Sequence, residues 1–273
     1  MLQARERRGD GVRLDNARCL VVGGARRLGR TIALDLAGHG ADVAVSSRTA
    51  AADAAATCEA IRGLGRRGVA VSGDVGAPPE AAALVEAAAT ALGGLDVLVY
   101  TASGPFRPAP PQDIDPRDWQ ASFDVVTRGF FVTACAARAR FAAGASEAAP
   151  GPDSAPPATR GVIVALTDVL GSVPSGAFAA HSAAKAAQIM LVASLAKAWA
   201  ADGVRVCGVA PGPVDLPDDP RREATLRAAA QSPGGRPVAP AEIARAVRFV
   251  IACDALTGVN LPVDGGWLLG RAF

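Results

Sequence analysis

Apolar residues fall along the chain in two alternating patterns. Short runs rich in Val, Leu and Ile recur at residues 19–22, 42–46, 69–72, 95–100, 161–166, 204–210 and 258–263. Each run is continuously apolar, which predicts strands covered on both faces. Between them lie longer Ala-rich stretches with helical spacing, near 28–38, 51–64, 79–92, 117–142, 178–202 and 240–254. Pro78, Pro79 and Pro240 stand at helix starts, where a missing N–H costs nothing. This rhythm predicts a single-domain α/β fold: a Rossmann-like, doubly wound parallel sheet in three α/β/α layers. The polar residues 1–16 read as a flexible tail ahead of a domain spanning 17–273, and the Pro/Ala-rich stretch 144–160 reads as a surface loop insertion.

Composition narrows the function classes. Half of the 273 residues are apolar but only 4% are aromatic, so Ala, Val and Leu must fill the core. A formal charge of +2 is too close to balance for a nucleic-acid binder. No apolar run reaches the roughly 18 residues of a membrane helix, and the charged start has no signal-peptide core. Five scattered cysteines without a C-x-x-C read as reduced thiols of a cytoplasmic protein. Two histidines and no clustered cysteines fall short of a metal site.

The first strand runs into Gly23-Gly24-Ala25-Arg26-Arg27-Leu28-Gly29, and a helix follows. A glycine-rich turn there lets backbone N–H groups and the positive helix end meet a pyrophosphate. The second strand ends in Ser46-Ser47-Arg48 without the acidic residue that would take a ribose 2′-hydroxyl. Arg48 with Arg26 or Arg27 instead offers guanidinium forks for a 2′-phosphate, which favours NADPH over NADH.

These motifs resemble those of the single-domain short-chain dehydrogenases/reductases over residues 17–267, and the glycine turn is similar to that of pteridine reductases. The resemblance assigns Asp74-Val75 to the adenine, Ala102-Ser103 to a motif that usually carries two asparagines, and Pro211-Gly212-Pro213-Val214 to the nicotinamide. It also implies a catalytic tyrosine, a lysine four residues later that holds the ribose, a serine thirteen residues before the tyrosine, and a relay asparagine. Here Lys185 is present, but His181 stands at the tyrosine position, Asp168 at the serine position and Val126 at the asparagine position. An imidazole is shorter than a phenol and ordinarily titrates near 6.5, against about 10. Asp168 favours its charged form and Lys185 its neutral one. Tyr100, the sole tyrosine, stands where the family braces its sheet, with substitution for the missing phenol as the alternative.

The resulting expectation is an atypical NADPH-dependent reductase acting on a C=N (imine or pterin-like) or C=O group of a small substrate. The alternatives are non-redox dehydration, cyclisation or isomerisation using His181 and Asp168, or an inactive NADP(H)-binding protein. Substrate walls are expected from Phe106 and Arg107, from Val169, Pro174 and Phe178, and from a lid over 213–237. Phe106 and Phe178 are candidates to sandwich a flat ring. A homo-oligomer, tetramer or dimer, is expected from the apolar closing elements. His39, at a helix end, reads as structural.

Overall fold

The computed structural model describes residues 12–142 and 159–270. Seven parallel strands form one sheet: β1 (Arg18–Val22), β2 (Asp42–Ser47), β3 (Gly68–Ser72), β4 (Val97–Tyr100), β5 (Gly161–Leu166), β6 (Val204–Pro211) and β7 (Asn260–Val263). Their spatial order is β3-β2-β1-β4-β5-β6-β7, so the winding direction reverses between β1 and β4. Cys19 of β1 pairs with Val43 on one side and Val97 on the other, which sets the register at that reversal.

Alternate residues of each strand feed opposite layers, as a pleat requires. On one face Val21, Val99, Val164 and Val209 meet α1 (Arg27–Gly38) and α8 (Pro240–Ala252) through Ile32, Leu36, Val247 and Ile251. On the other, Leu20, Leu98, Ile163 and Val206 meet α3 (Pro78–Leu92), α5 (Phe130–Ala142) and α6 (Ala179–Trp199) through Leu84, Phe130 and Val192. The sheet edge at β2 and β3 is covered by α2 (Ala51–Gly63). Pro78 and Pro240 occupy first turns as expected.

Four local expectations change. Residues 12–16, read as tail, pack on the body: Leu14 is buried and the Asn16 amide donates to the Gly40 carbonyl at 2.8 Å. Two apolar anchors, Val12 and Leu14, in a mainly polar segment carry no periodicity that pattern reading can use. The expected helix over 117–142 is α4 (Pro116–Ser122) and α5 joined by a π-helical stretch, Phe123–Gly129. The helix expected to reach 202 ends at Trp199, followed by a 3₁₀ turn whose Gly203 adopts φ +72°. Within 213–237 lies an unforeseen helix, α7 (Arg222–Ala229), too short and polar to show periodicity. Most of the 144–160 loop, residues 144–158, lies outside the described residues.

The π-helical stretch explains Tyr100. Its ring is fully buried edge-on to Phe130, and its hydroxyl donates to the Val125 carbonyl at 2.5 Å. Gly129 is obligatory there, because a Cβ would come 2.6 Å from the phenol oxygen. Tyr100 therefore braces the sheet against the widened turn and does not line the crevice described below. Tyr100→Phe should lower stability in urea unfolding by about 1–3 kcal/mol, the cost of orphaning a buried carbonyl, and leave nucleotide affinity unchanged.

Candidate functional site

The reversal at β1 and β4 leaves a crevice outside the carboxyl ends of the strands, the position where open α/β sheets take ligands. Its volume is about 1220 Å³. The glycine turn, Arg48, Asp74, Phe106, Phe178, Asp168, His181 and Lys185 all line it, whereas Val126 and Tyr100 do not, so the two halves of the expected site share one continuous space.

At the nucleotide end, Gly23 takes φ +78° and Gly29 faces it so closely that a Cβ would lie 2.2 Å from the Gly23 carbonyl oxygen. The turn is thus locked against the start of α1, whose free N–H groups suit a phosphate. Thr101, at the mouth of β4, donates its hydroxyl to the Val22 carbonyl at 2.7 Å and buttresses Gly23. Pattern reading missed this role, because a lone threonine carries no motif. Arg27 adopts φ +50°, a left-handed conformation that suits glycine and strains a longer residue.

The three arginines are not free forks, as their sequence context implied. Arg48 pairs with Asp74 at 3.1 Å, Arg27 with Asp219 at 3.3 Å and Arg26 with Asp53 at 3.6 Å. The carboxylate missing from the end of β2 is supplied by the end of β3, which lies beside it in the sheet. Burial opposes ionisation of Asp74, but the Gly76 amide and Arg48 outweigh it and hold the carboxyl below its ordinary value. The arginine side chains of these pairs are at least half exposed, and the Arg48 and Arg26 pairs cost little to break, so a phosphate can recruit those guanidinium groups. Ser47, Val75, Ala102, Ser103, Leu28, Pro211, Gly212 and Val214, expected at the cofactor, also line the crevice.

At the opposite end, the loop after β5 and the first turns of α6 meet. Asp168 has extended backbone and caps the next turn, its Oδ1 accepting from the Leu170 amide at 2.8 Å. Its Oδ2 lies 3.1 Å from His181 Nε2. A carboxylate only accepts, so Nε2 carries the hydrogen in this pair. His181 is 5% exposed and its Nδ1 has no hydrogen-bond partner, whereas the Asp168 side chain is 25% exposed. Both line the crevice, and the carboxylate, backed by the imidazole, is the more exposed of the two. Lys185, 3% exposed, donates to the Leu166 carbonyl at 2.6 Å and to Gln188 Oε1 at 3.0 Å. Burial pushes its ammonium down to about 8, against a smaller upward pull from Asp168.

Phe106 and Phe178 do not leave room for a ring between them. They stack on each other, centroids 4.3 Å apart and planes 8° from parallel. Phe106 also meets His181 edge-on at 4.5 Å and carries the Arg221 guanidinium 4.4 Å above its ring. Arg221 reaches the Phe106 carbonyl at 2.7 Å and chelates Asp219, which in turn holds Arg27. The segment expected as a lid is therefore tied to both ends of the crevice. It leaves and returns through a parallel bridge between Val214 and Val238. Arg107, Val169 and Pro174 stand on the same wall. Among the described residues, no group of three or more His, Cys, Asp or Glu side chains is placed to hold a metal, and no helix is long and apolar enough to cross a membrane.

A family model described as enoyl-(acyl carrier protein) reductase matches residues 23–268. Over 253 residues, 91% of this chain and 95% of the relative, the protein is 34% identical to cis-4-hydroxycyclohexanecarboxylate dehydrogenase of Sinomonas cyclohexanicum. A short chain dehydrogenase of Burkholderia cenocepacia, solved in complex with NADP, superposes with a TM-score of 0.81 at 30% identity, covering 94% of this chain and 99% of that one. A blue fluorescent protein from a metagenomic library, solved with NADPH, gives 0.80 at 26% identity, with coverage of 93% and 99%.

The buried Lys185 has a stability signature. Its folded value of about 8 lies below the ordinary 10.5, so between the two the unfolded chain binds more protons and the cost of burying the charge fades as pH rises. Urea unfolding should therefore move in favour of wild type over Lys185→Met by up to about 3 kcal/mol between pH 8 and 10.5. A pH-independent difference would mean that Lys185 keeps its ordinary value in the folded protein.

Proposed function

Because the chain belongs to the short-chain dehydrogenase/reductase family, we propose that it is an NADPH-dependent reductase whose substrate is a protonated imine or a comparable C=N group on a small cyclic molecule. The observation that carries this reading is the Asp168–His181 pair at the crevice, with Lys185 one helical turn further along α6.

The residues present fit the cofactor. Gly23, Gly29 and the start of α1 form a cradle too tight for side chains, as a pyrophosphate site needs. Arg48, with Arg27 and Arg26, would meet the 2′-phosphate, Asp74 and Val75 the adenine end, and Lys185 the nicotinamide ribose. Bound there, NADPH supplies a hydride.

The rest follows from the chain's own groups. A carbonyl oxygen needs a proton as it becomes a hydroxyl, and the family implies a phenol for that purpose. Here the corresponding imidazole directs its N–H to Asp168, and the chain's sole phenol is committed to Val125. An iminium nitrogen arrives protonated and ends neutral, so it needs an acceptor for its N–H and an anion beside its charge. Asp168 supplies both through lone pairs left over after Leu170 and His181 are satisfied. His181 fixes that carboxylate, and Phe106 covers the imidazole and keeps water from it. A ketone carrying its own internal acid would also be served. Exposed Trp119, Phe131, Met190 and Phe249 support the expected homo-oligomer.

Three tests follow. Calorimetry should show NADPH binding more tightly than NADH, with oxidation of NADPH in a panel of cyclic imines, pterins and alicyclic ketones favouring the imines. Arg48→Ala should weaken NADPH at least tenfold more than NADH; equal losses would remove the 2′-phosphate assignment. His181→Ala and Asp168→Asn should each lower kcat tenfold or more on an imine, and unchanged rates would exclude the pair from the chemistry.

A further inference from the structure

One polar side chain beneath the crevice has no part in the reading above. Gln188, three residues after Lys185 on α6, is fully buried at 0% exposure. Its Oε1 accepts from Lys185 Nζ at 3.0 Å, while its Nε2 has no partner. A leucine or methionine would pack there without an orphaned donor, so the amide is a burden on folding unless its oxygen does something. The lysine shows what that is. An ammonium has three N–H donors: one goes to the Leu166 carbonyl at 2.6 Å, the second to Gln188, and the third is left for the crevice that Lys185 lines.

We propose that Gln188 is a positioning residue, whose side-chain oxygen fixes Lys185 Nζ so that the third N–H is presented to the cofactor or substrate in the crevice. The proposal rests on the reductase reading for what the lysine meets there. Physically, two carbonyl dipoles aimed at Nζ replace part of the hydration that burial removes and keep the proton on. The neighbouring charges leave few other supports. Asp168 acts on the lysine through space and is occupied by His181. Asp124 and Arg128 of the π-helical stretch, whose Thr127 packs on α6, pair with each other.

The test follows NADPH affinity by fluorescence titration between pH 6.5 and 9.5, and urea unfolding of the cofactor-free protein over pH 7 to 10.5, in wild type, Gln188→Leu and Gln188→Glu. Wild-type affinity should fall as the lysine loses its proton. Gln188→Leu should move that fall, and the onset of the pH-dependent gain in stability, to lower pH by about one unit. Gln188→Glu, which adds a negative charge beside the ammonium, should move both upward. Profiles that coincide with wild type, or that shift the same way in both variants, would reduce Gln188 to a packing residue and overturn the proposal. Should Gln188→Leu not fold, the Glu variant decides alone: an upward shift supports the role and an unchanged profile ends it. If wild type fails to bind NADPH, the reductase reading falls, while the unfolding profiles still judge Gln188.

Discussion

Two parallel strands cannot be joined by a tight turn, and every other feature of this molecule follows from that constraint. Each crossover carries a helix over one face of the sheet. At β1 and β4 the crossovers leave in opposite directions, so no helix covers the carboxyl edge between them. The glycine turn after β1, the Thr101 buttress after β4, Asp168 after β5 and Pro211-Gly212 at the end of β6 all emerge along that one edge. Residues far apart in the chain meet there.

Within the crevice, every arginine of the glycine turn and of the β2 end is paired with a carboxylate. Arg26, Arg27 and Arg48 each meet a carboxylate, and Asp219 is shared between Arg27 and Arg221. Neutral pairs of this kind are weak in water and easily exchanged for a phosphate. The opposite end is different in kind: Asp168, His181 and Lys185 are held by partly buried or buried contacts that a ligand does not readily replace. One end is built for exchange and the other for fixed geometry.

The layers of this fold were legible because strands buried on both faces write themselves as unbroken apolar runs, and all seven appear within a few residues of their observed limits. Site residues were legible wherever a motif ties identity to a backbone position, as at Gly23, Gly29 and Lys185. What escaped depends on tertiary neighbours. Nothing in Ser46-Ser47-Arg48 says that Asp74 lies alongside, and nothing in two phenylalanines 72 positions apart (178 − 106) says that they stack on each other. The π-helical stretch has the same composition as an α-helix, and its cause is the phenol of Tyr100 and the close approach of Gly129. Gln188 looked like any polar residue on a long helix until its depth was known.

The single tyrosine, enclosed between Phe130 and the Val125 carbonyl, also makes the protein its own optical probe. Burial holds its phenol far above the ordinary range of tyrosine. Phenolate absorbance in alkaline solution therefore reports the whole sheet coming apart around that ring, and a spectrophotometer alone can follow the event without any added label.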